Sequence, residues 1–272
     1  WRHADGQFAR FNGAGLVNPE IIEETLARSG QRGKLLQKAP YTGFMRLTAG
    51  RSTIILDAGQ PSLNARIAGL STLAFEFAVG QNLLVVNPGQ KSNDKKFQRL
   101  LCDTQAHSTL TIDGQNSTDF VSNRIARVSN AEFGTAKNGL LAVASHDGYE
   151  KSHGIIHRRT LFLLSNGANL RGADKLEYTG APGEIARSAI IRFHLHPRVT
   201  AAILRDQRVL IKIRGSRIGW VFKANVSVSI DQSLFFGIDG RMNCQQIVLK
   251  APLSNIRSFG EVEVKWAFKR NE

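Results

Sequence analysis

The chain has 272 residues, 42% of them hydrophobic and 21% charged, which excludes a disordered or low-complexity polymer and leaves ample length for a buried core. A formal net charge of +14, spread along the sequence rather than gathered in one tail, predicts a folded basic surface suited to polyanions. No window approaches the roughly 20 consecutive apolar residues of a membrane-spanning helix, and glycine-rich phosphate loops, nucleophile elbows and zinc-finger or RNA-recognition signatures are absent. No cofactor is expected, and neither is membrane insertion.

The chain opens WRHADG, without Met and without a basic or apolar leader, and reads as a fragment or processed piece whose targeting signal lies elsewhere. Residues 1–40 differ in character from the rest of the chain. Within them NPEIIEETLARSG predicts a short helix, with Asn18 as cap, Pro19 in the first turn, Glu20, Glu23 and Glu24 early, and Gly30 as the stop.

From about residue 41 the text alternates with the period of a strand. RSTIILDAG is one strand, and LAFEFAVGQNLLVVNPG is a hairpin with Gly80, Gln81 and Asn82 in its turn. The loop NPGQKSNDKK comes next, a basic stretch read as solvated or anion-binding. HSTLTIDGQNST ends in an Asp113-Gly114 turn. LLAVASHDGY and GIIHRRTLFLLSNG are the next pair. WVFKANVSVSID places Trp220, Phe222, Ala224, Val226, Val228 and Ile230 on one face of a single strand. EVEVKWAFKR does the same with Val262, Val264, Trp266 and Phe268. Such apolar-in, polar-out alternation marks antiparallel sheets with one solvated face. A dozen or more strands with few helices predict an all-β fold, a large antiparallel multi-sheet β-sandwich carrying a short N-terminal helical segment, over residues 41–272. Cys102 and Cys244 are expected as buried thiols rather than as a disulfide.

Two stretches hold candidate chemistry. In AIIRFHLHP, Ala189, Ile191, Phe193 and Leu195 share one face, and Ile190, Arg192, His194 and His196 share the other. A histidine pair two residues apart is half a zinc site at most, and no further ligand lies nearby in sequence. The pair is therefore expected on a polar sheet face. SHDGYEKSHGIIHRR is denser, with His146, Asp147, Tyr149, His153, His157, Arg158 and Arg159 in one short run. Elimination at a uronic acid needs a neutralised carboxylate, a base and an acid, and Arg, His and Tyr supply these. The same stretch also reads as a loop entering a strand, with His146-Asp147-Gly148 as turn chemistry.

Taken in order, LAFEFAVGQNLLVVNPG, AHSTLTIDGQNS, HDGYEKSHGIIHRRTLFL, LRGADKLE and IRFHLHP resemble the C-terminal part of heparinase II/III-like proteins of the alphaproteobacterial type. The resemblance covers about residues 40–268, and RHADGQFARFNGAG is similar to the joint that precedes that part. It implies a polysaccharide lyase in which an upstream α-helical toroid and a C-terminal sandwich enclose an acidic polysaccharide, such as a glycosaminoglycan or alginate, for β-elimination. It implies a periplasmic or cell-envelope location and makes residues 1–40 a linker and helical remnant of the toroid.

The family's histidine pair, one catalytic and one metal-binding, falls near Ile67 and Gly69. Its metal-binding aspartate falls at Asn87, and only its last ligand persists, as His107. The catalytic tyrosine belongs to the toroid. No metal is therefore expected, and the residues expected to contact substrate are His107, His146, Tyr149, His157, Arg158 and Arg159. The chain is expected to be inactive in isolation. The alternative is a non-catalytic polyanion- or carbohydrate-binding module; nucleic acid is not expected as a partner, since aromatics are only 8% of the chain.

Overall fold

The computed structural model describes residues 1–12, 14, 17–30, 33, 35–61, 69–89, 95–237 and 240–271. Helix α1 (Pro19–Ser29) forms where capping chemistry places it. The Asn18 side chain accepts from the Glu20 N–H, and Gly30 closes the helix in the left-handed conformation at φ 62°. Strands β1 (Phe44–Ala49), β2 (Ser52–Asp57), β3 (Phe75–Val79) and β4 (Asn82–Val86) lead to helix α2 (Lys95–Cys102) and β5 (Leu110–Ile112). Strands β6 (Val128–Ala136) and β7 (Gly139–Tyr149) precede the single-turn α3 (Glu150–His153), then β8 (Ile155–Leu164), β9 (Asn169–Tyr178) and β10 (Ser188–Leu195). The chain ends with β11 (Val199–Ile203), β12 (Val209–Ile213), β13 (Gly219–Ala224), β14 (Ser227–Gly237), β15 (Gly240–Pro252), the single-turn α4 (Ile256–Phe259) and β16 (Glu261–Arg270).

Two eight-stranded antiparallel sheets result. The first runs β1-β2-β3-β4-β10-β15-β14, with β5 paired to β10, and the second runs β11-β12-β13-β16-β9-β8-β7-β6. Their facing sides interlock through aromatic rings. Phe75 of the first sheet stacks on Trp266 of the second at 5.5 Å, Phe193 meets the same indole edge-on at 4.7 Å, and Phe77 meets Trp220 edge-on at 5.2 Å. Offset and edge-on contacts of this kind add to what burial alone contributes. The sandwich expected from alternation is what forms.

Two local expectations change. WVFKANVSVSID is not one strand: the chain bends at Asn225 and Val226, and passes from β13 in the second sheet to β14 in the first. Asn225 pins that corner, accepting from the Lys265 N–H and donating to the Glu263 carbonyl. His146-Asp147-Gly148 is not a loop either; it lies inside β7, whose register shifts between His146 and Tyr149. The N-terminal residues pack against the first sheet. Ala9 and Phe11 are buried with Ile55 and Ala74 on the outer side of the first sheet, beside Trp1 and Phe44. The Asp113-Gly114 turn forms as expected, with φ of 46° and 75°, the left-handed pair a tight hairpin needs. No disulfide joins Cys102 and Cys244. Among the described residues no helix is long and apolar enough to cross a membrane.

Candidate functional site

The loops that succeed β4 and α2 converge with β10 on the outer side of the first sheet. Asn87, fully buried just past β4, accepts the Ser108 N–H on Oδ1 at 2.9 Å and donates its own N–H to Glu76 Oε1 at 3.0 Å. The other oxygen of Glu76 meets His3 Nε2 at 2.9 Å, which ties the N-terminal arm to the same spot. His194 closes the group from β10. Its Nε2 faces the Gln105 carbonyl at 3.1 Å and must donate, so Nδ1 accepts from the Ser233 hydroxyl at 2.7 Å. His194 is thus on the outer sheet face, as parity predicts, but is only 5% exposed.

His107 is buried in the middle of this group, and neither of its ring nitrogens makes a well-formed hydrogen bond among the described residues; nor does Asn87 Nδ2. Burial, and then the field of His194, hold the His107 imidazole down to about 3. A Cβ built on Gly69 would collide with His107 Nε2. Gly69, Asn87 and His107 therefore meet in space, as the family resemblance at these positions implies. The set does not fit a zinc ion. Gly69 has no side chain, the Asn87 oxygen is already engaged, and the nitrogen it leaves free is an amide, which is no ligand. Among the described residues no group of three or more His, Cys, Asp or Glu is placed to hold a metal. Ile67, the other position matched to the family's histidine pair, lies outside the described residues, as do residues 90–94 of the basic loop.

A second system runs through the core between the sheets. Asp174 of β9, wholly buried, accepts from Arg159 Nε at 2.7 Å, His157 Nε2 at 2.8 Å and Trp266 Nε1 at 2.8 Å. His157 Nδ1 lies 3.0 Å from His146 Nε2, and His146 Nδ1 accepts from the Gly148 N–H at 3.1 Å. One proton assignment satisfies the whole row: Gly148 to His146, His146 to His157, His157 to Asp174, with both imidazoles neutral. Burial lowers both histidines, which agrees with that assignment. Burial alone would raise Asp174, but the charge of Arg159 and the hydrogen bonds from His157 and Arg159 outweigh it and hold the carboxylate below its usual range. Arg159 then reaches across the sandwich, donating through Nη1 to the carbonyls of Leu73 at 2.7 Å and Ser108 at 2.9 Å. Tyr149 donates to the Leu110 carbonyl at 2.8 Å, and burial pushes its hydroxyl pKa up.

Five of the six residues read as substrate contacts, His107, His146, Tyr149, His157 and Arg159, are therefore brought together, but inside the protein. A polymer in solvent does not reach them. Arg159 and Tyr149 hold the loop 104–112 against the core through the carbonyls of Ser108 and Leu110. Arg158 alone is partly exposed, because it projects from the opposite side of β8. Sequence reading missed Asp174, Glu76 and His3. Asp174 had a signal: it shares strand parity with Leu170, Gly172 and Leu176, which marks a charge aimed into the core.

A family model described as "Heparinase II/III-like, C-terminal" matches residues 31–267. A relative from Caulobacter vibrioides, the FtsZ-localized protein C, is 28% identical over 288 aligned residues, covering 98% of this chain and 49% of that protein. Among solved structures, a heparinase III superposes with a TM-score of 0.76 at 14% identity, over 99% of this chain and 44% of that one. The heparan sulfate lyase HepC from Pedobacter heparinus does so with 0.74 at 15%, over 100% and 45%. The solved structures speak to the fold. This chain spans about half the length of each of these proteins.

Proposed function

The chain belongs to the heparinase II/III-like family through its C-terminal domain, and on that premise we propose that it forms the sandwich wall of an acidic-polysaccharide cleft whose chemistry is supplied from elsewhere. In this reading a partner domain, the upstream toroid implied by the resemblance, provides the base, and this chain provides a rigid surface and positive charge. The observation that carries it is the combination at one spot: the loop bearing His107 is retained and braced by Arg159, while Gly69 and Asn87 stand where ligands are needed. β-Elimination at a uronate needs a base near C5 and a neutralised carboxylate. Six of the seven histidines are buried and His196, just past β10, is half-buried, so the exposed surface offers mainly cations. Acidic glycans are the substrate class, and an envelope location goes with that reading.

A second reading is a binding module that never takes part in cleavage. It is favoured by the absence of a fitting metal set among the described residues and by the name of the Caulobacter relative, which records where that protein is found rather than a reaction. The two readings separate on one assay, the ultraviolet absorbance of 4,5-unsaturated uronate. The chain alone and the longer protein that contains it would be mixed with heparan sulfate, hyaluronan and alginate. Product from the longer protein only is the expected result. Product from neither favours the binding module, and product from the isolated chain overturns the first reading.

A further inference from the structure

The second sheet carries a groove on its outer side, across the sandwich from the His107 loop. Along β9 and β16, Leu170, Asp174, Trp266 and Phe268 enter the core, so Arg171, Ala173, Ala267 and Lys269 face outward. The register aligns them into rows. Lys223 of β13 stands opposite Ala267, Ala267 opposite Arg171, and Arg171 opposite Phe162 of β8. With strands about 4.8 Å apart, this row is roughly 15 Å long. The small Ala173 and Ala267 make a floor and the long cationic side chains make walls, enclosing about 710 Å³.

The charge in this groove is largely uncompensated. Lys265 pairs with Glu263 at 2.8 Å, but among the described residues Lys223, Arg171 and Lys269 have no carboxylate within ion-pair distance. Asn169 lines one end of the groove. Cations alone suit any polyanion. Among the described residues that line the groove, Trp266 is turned into the core and Phe162 alone presents an aromatic ring to the open side, too few for a platform that stacks successive bases.

We propose that this face is a second binding site, for an acidic glycan carrying uronate or sulfate groups along with free hydroxyls. The choice of a glycan rests on the proposed function; the site itself rests on the groove. It would grip a polymer that the opposite side of the sandwich presents to the cleft, so that one chain engages its substrate at two separated points.

The test is calorimetric titration of the whole chain with a size-defined heparin oligosaccharide, an alginate oligosaccharide and a charge-matched oligothymidylate. Arg171→Ala/Lys223→Ala is expected to weaken heparin binding about tenfold and to lower the salt slope by about two. Arg214→Ala/Arg217→Ala, an equal loss of charge at the β12–β13 turn, is expected to leave affinity within about twofold. Equal losses from the two double variants, or oligothymidylate binding as tightly as heparin, would overturn the proposal. The readout is affinity, so the site and the lyase reading stand or fall separately.

Discussion

Replacing Asp174 by Asn strands a buried guanidinium. Asp174 sits at full burial with three donors within 2.8 Å, and it is the only carboxylate paired with Arg159 among the described residues. In the variant the side chain keeps its shape but loses its charge. Its new amide N–H₂ group must face one of the donors that the carboxylate accepted. Breaking a buried pair by neutralising one partner costs about 3–5 kcal/mol, because the other charge stays desolvated without compensation. For a domain of this size each kcal/mol shifts the melting temperature by about 2–4 °C, so a drop on the order of 10 °C is expected. Differential scanning calorimetry measures it, with circular dichroism to establish that the variant folds. Because Asp174 is held below the usual carboxylate range, the wild-type advantage is complete above about pH 4 and fades only in stronger acid. A drop of less than about 3 °C would mean that Arg159 is satisfied without Asp174, and the brace as described would be wrong.

Trp220→Ala removes a ring that is 1% exposed and packed edge-on against Phe77, and should cost about 3–5 kcal/mol by chemical denaturation; an unchanged midpoint would place the indole outside the core. Gly69→Ala forces a methyl group against His107 Nε2 and should cost about 1–3 kcal/mol; a neutral result would show that the two do not touch. Acid should destabilise the fold before carboxylates of ordinary pKa titrate. Burial holds His107 near 3 and His194 and His196 near 4, and lowers His146 and His157 too, against about 6.5 unfolded. The unfolded chain then binds more protons, so the stability these groups contribute is complete above about pH 6.5 and is lost as pH falls toward 4. Asp57 works the other way: burial raises it to about 7, so it costs stability as pH rises from about 4. Five histidines outweigh one aspartate, so urea midpoints should fall steadily between about pH 6.5 and 4.5; a flat or rising profile would contradict the buried, neutral assignment.

Much of the fold was legible because alternation is a direct record of which side each residue takes. Helix α1 and the Asp113-Gly114 turn were legible because capping and left-handed backbone demand particular residues. The β13–β14 corner was not. Val226 and Val228 keep the apolar parity through the bend, so the pattern runs unbroken while the chain changes sheet. The histidine-rich stretch was misjudged by residue type. His157 and Arg159 share parity with Ile155, Leu161 and Leu163, and that parity, not polarity, decides that they point inward. Nothing local signals that Arg159 would span the sandwich to Ser108, since that contact is set by how the two sheets stack.

The central claim is that the family fold persists here while its metal set has been dismantled, and the metal content of the protein tests it most directly. The chain, purified without chelator and equilibrated with zinc, would be desalted and assayed by plasma emission, with its melting temperature compared before and after chelation. Substoichiometric zinc and an unchanged melting temperature are expected from one buried imidazole beside Gly69 and Asn87. Zinc at one equivalent, with a fall in melting temperature on chelation, would contradict the account.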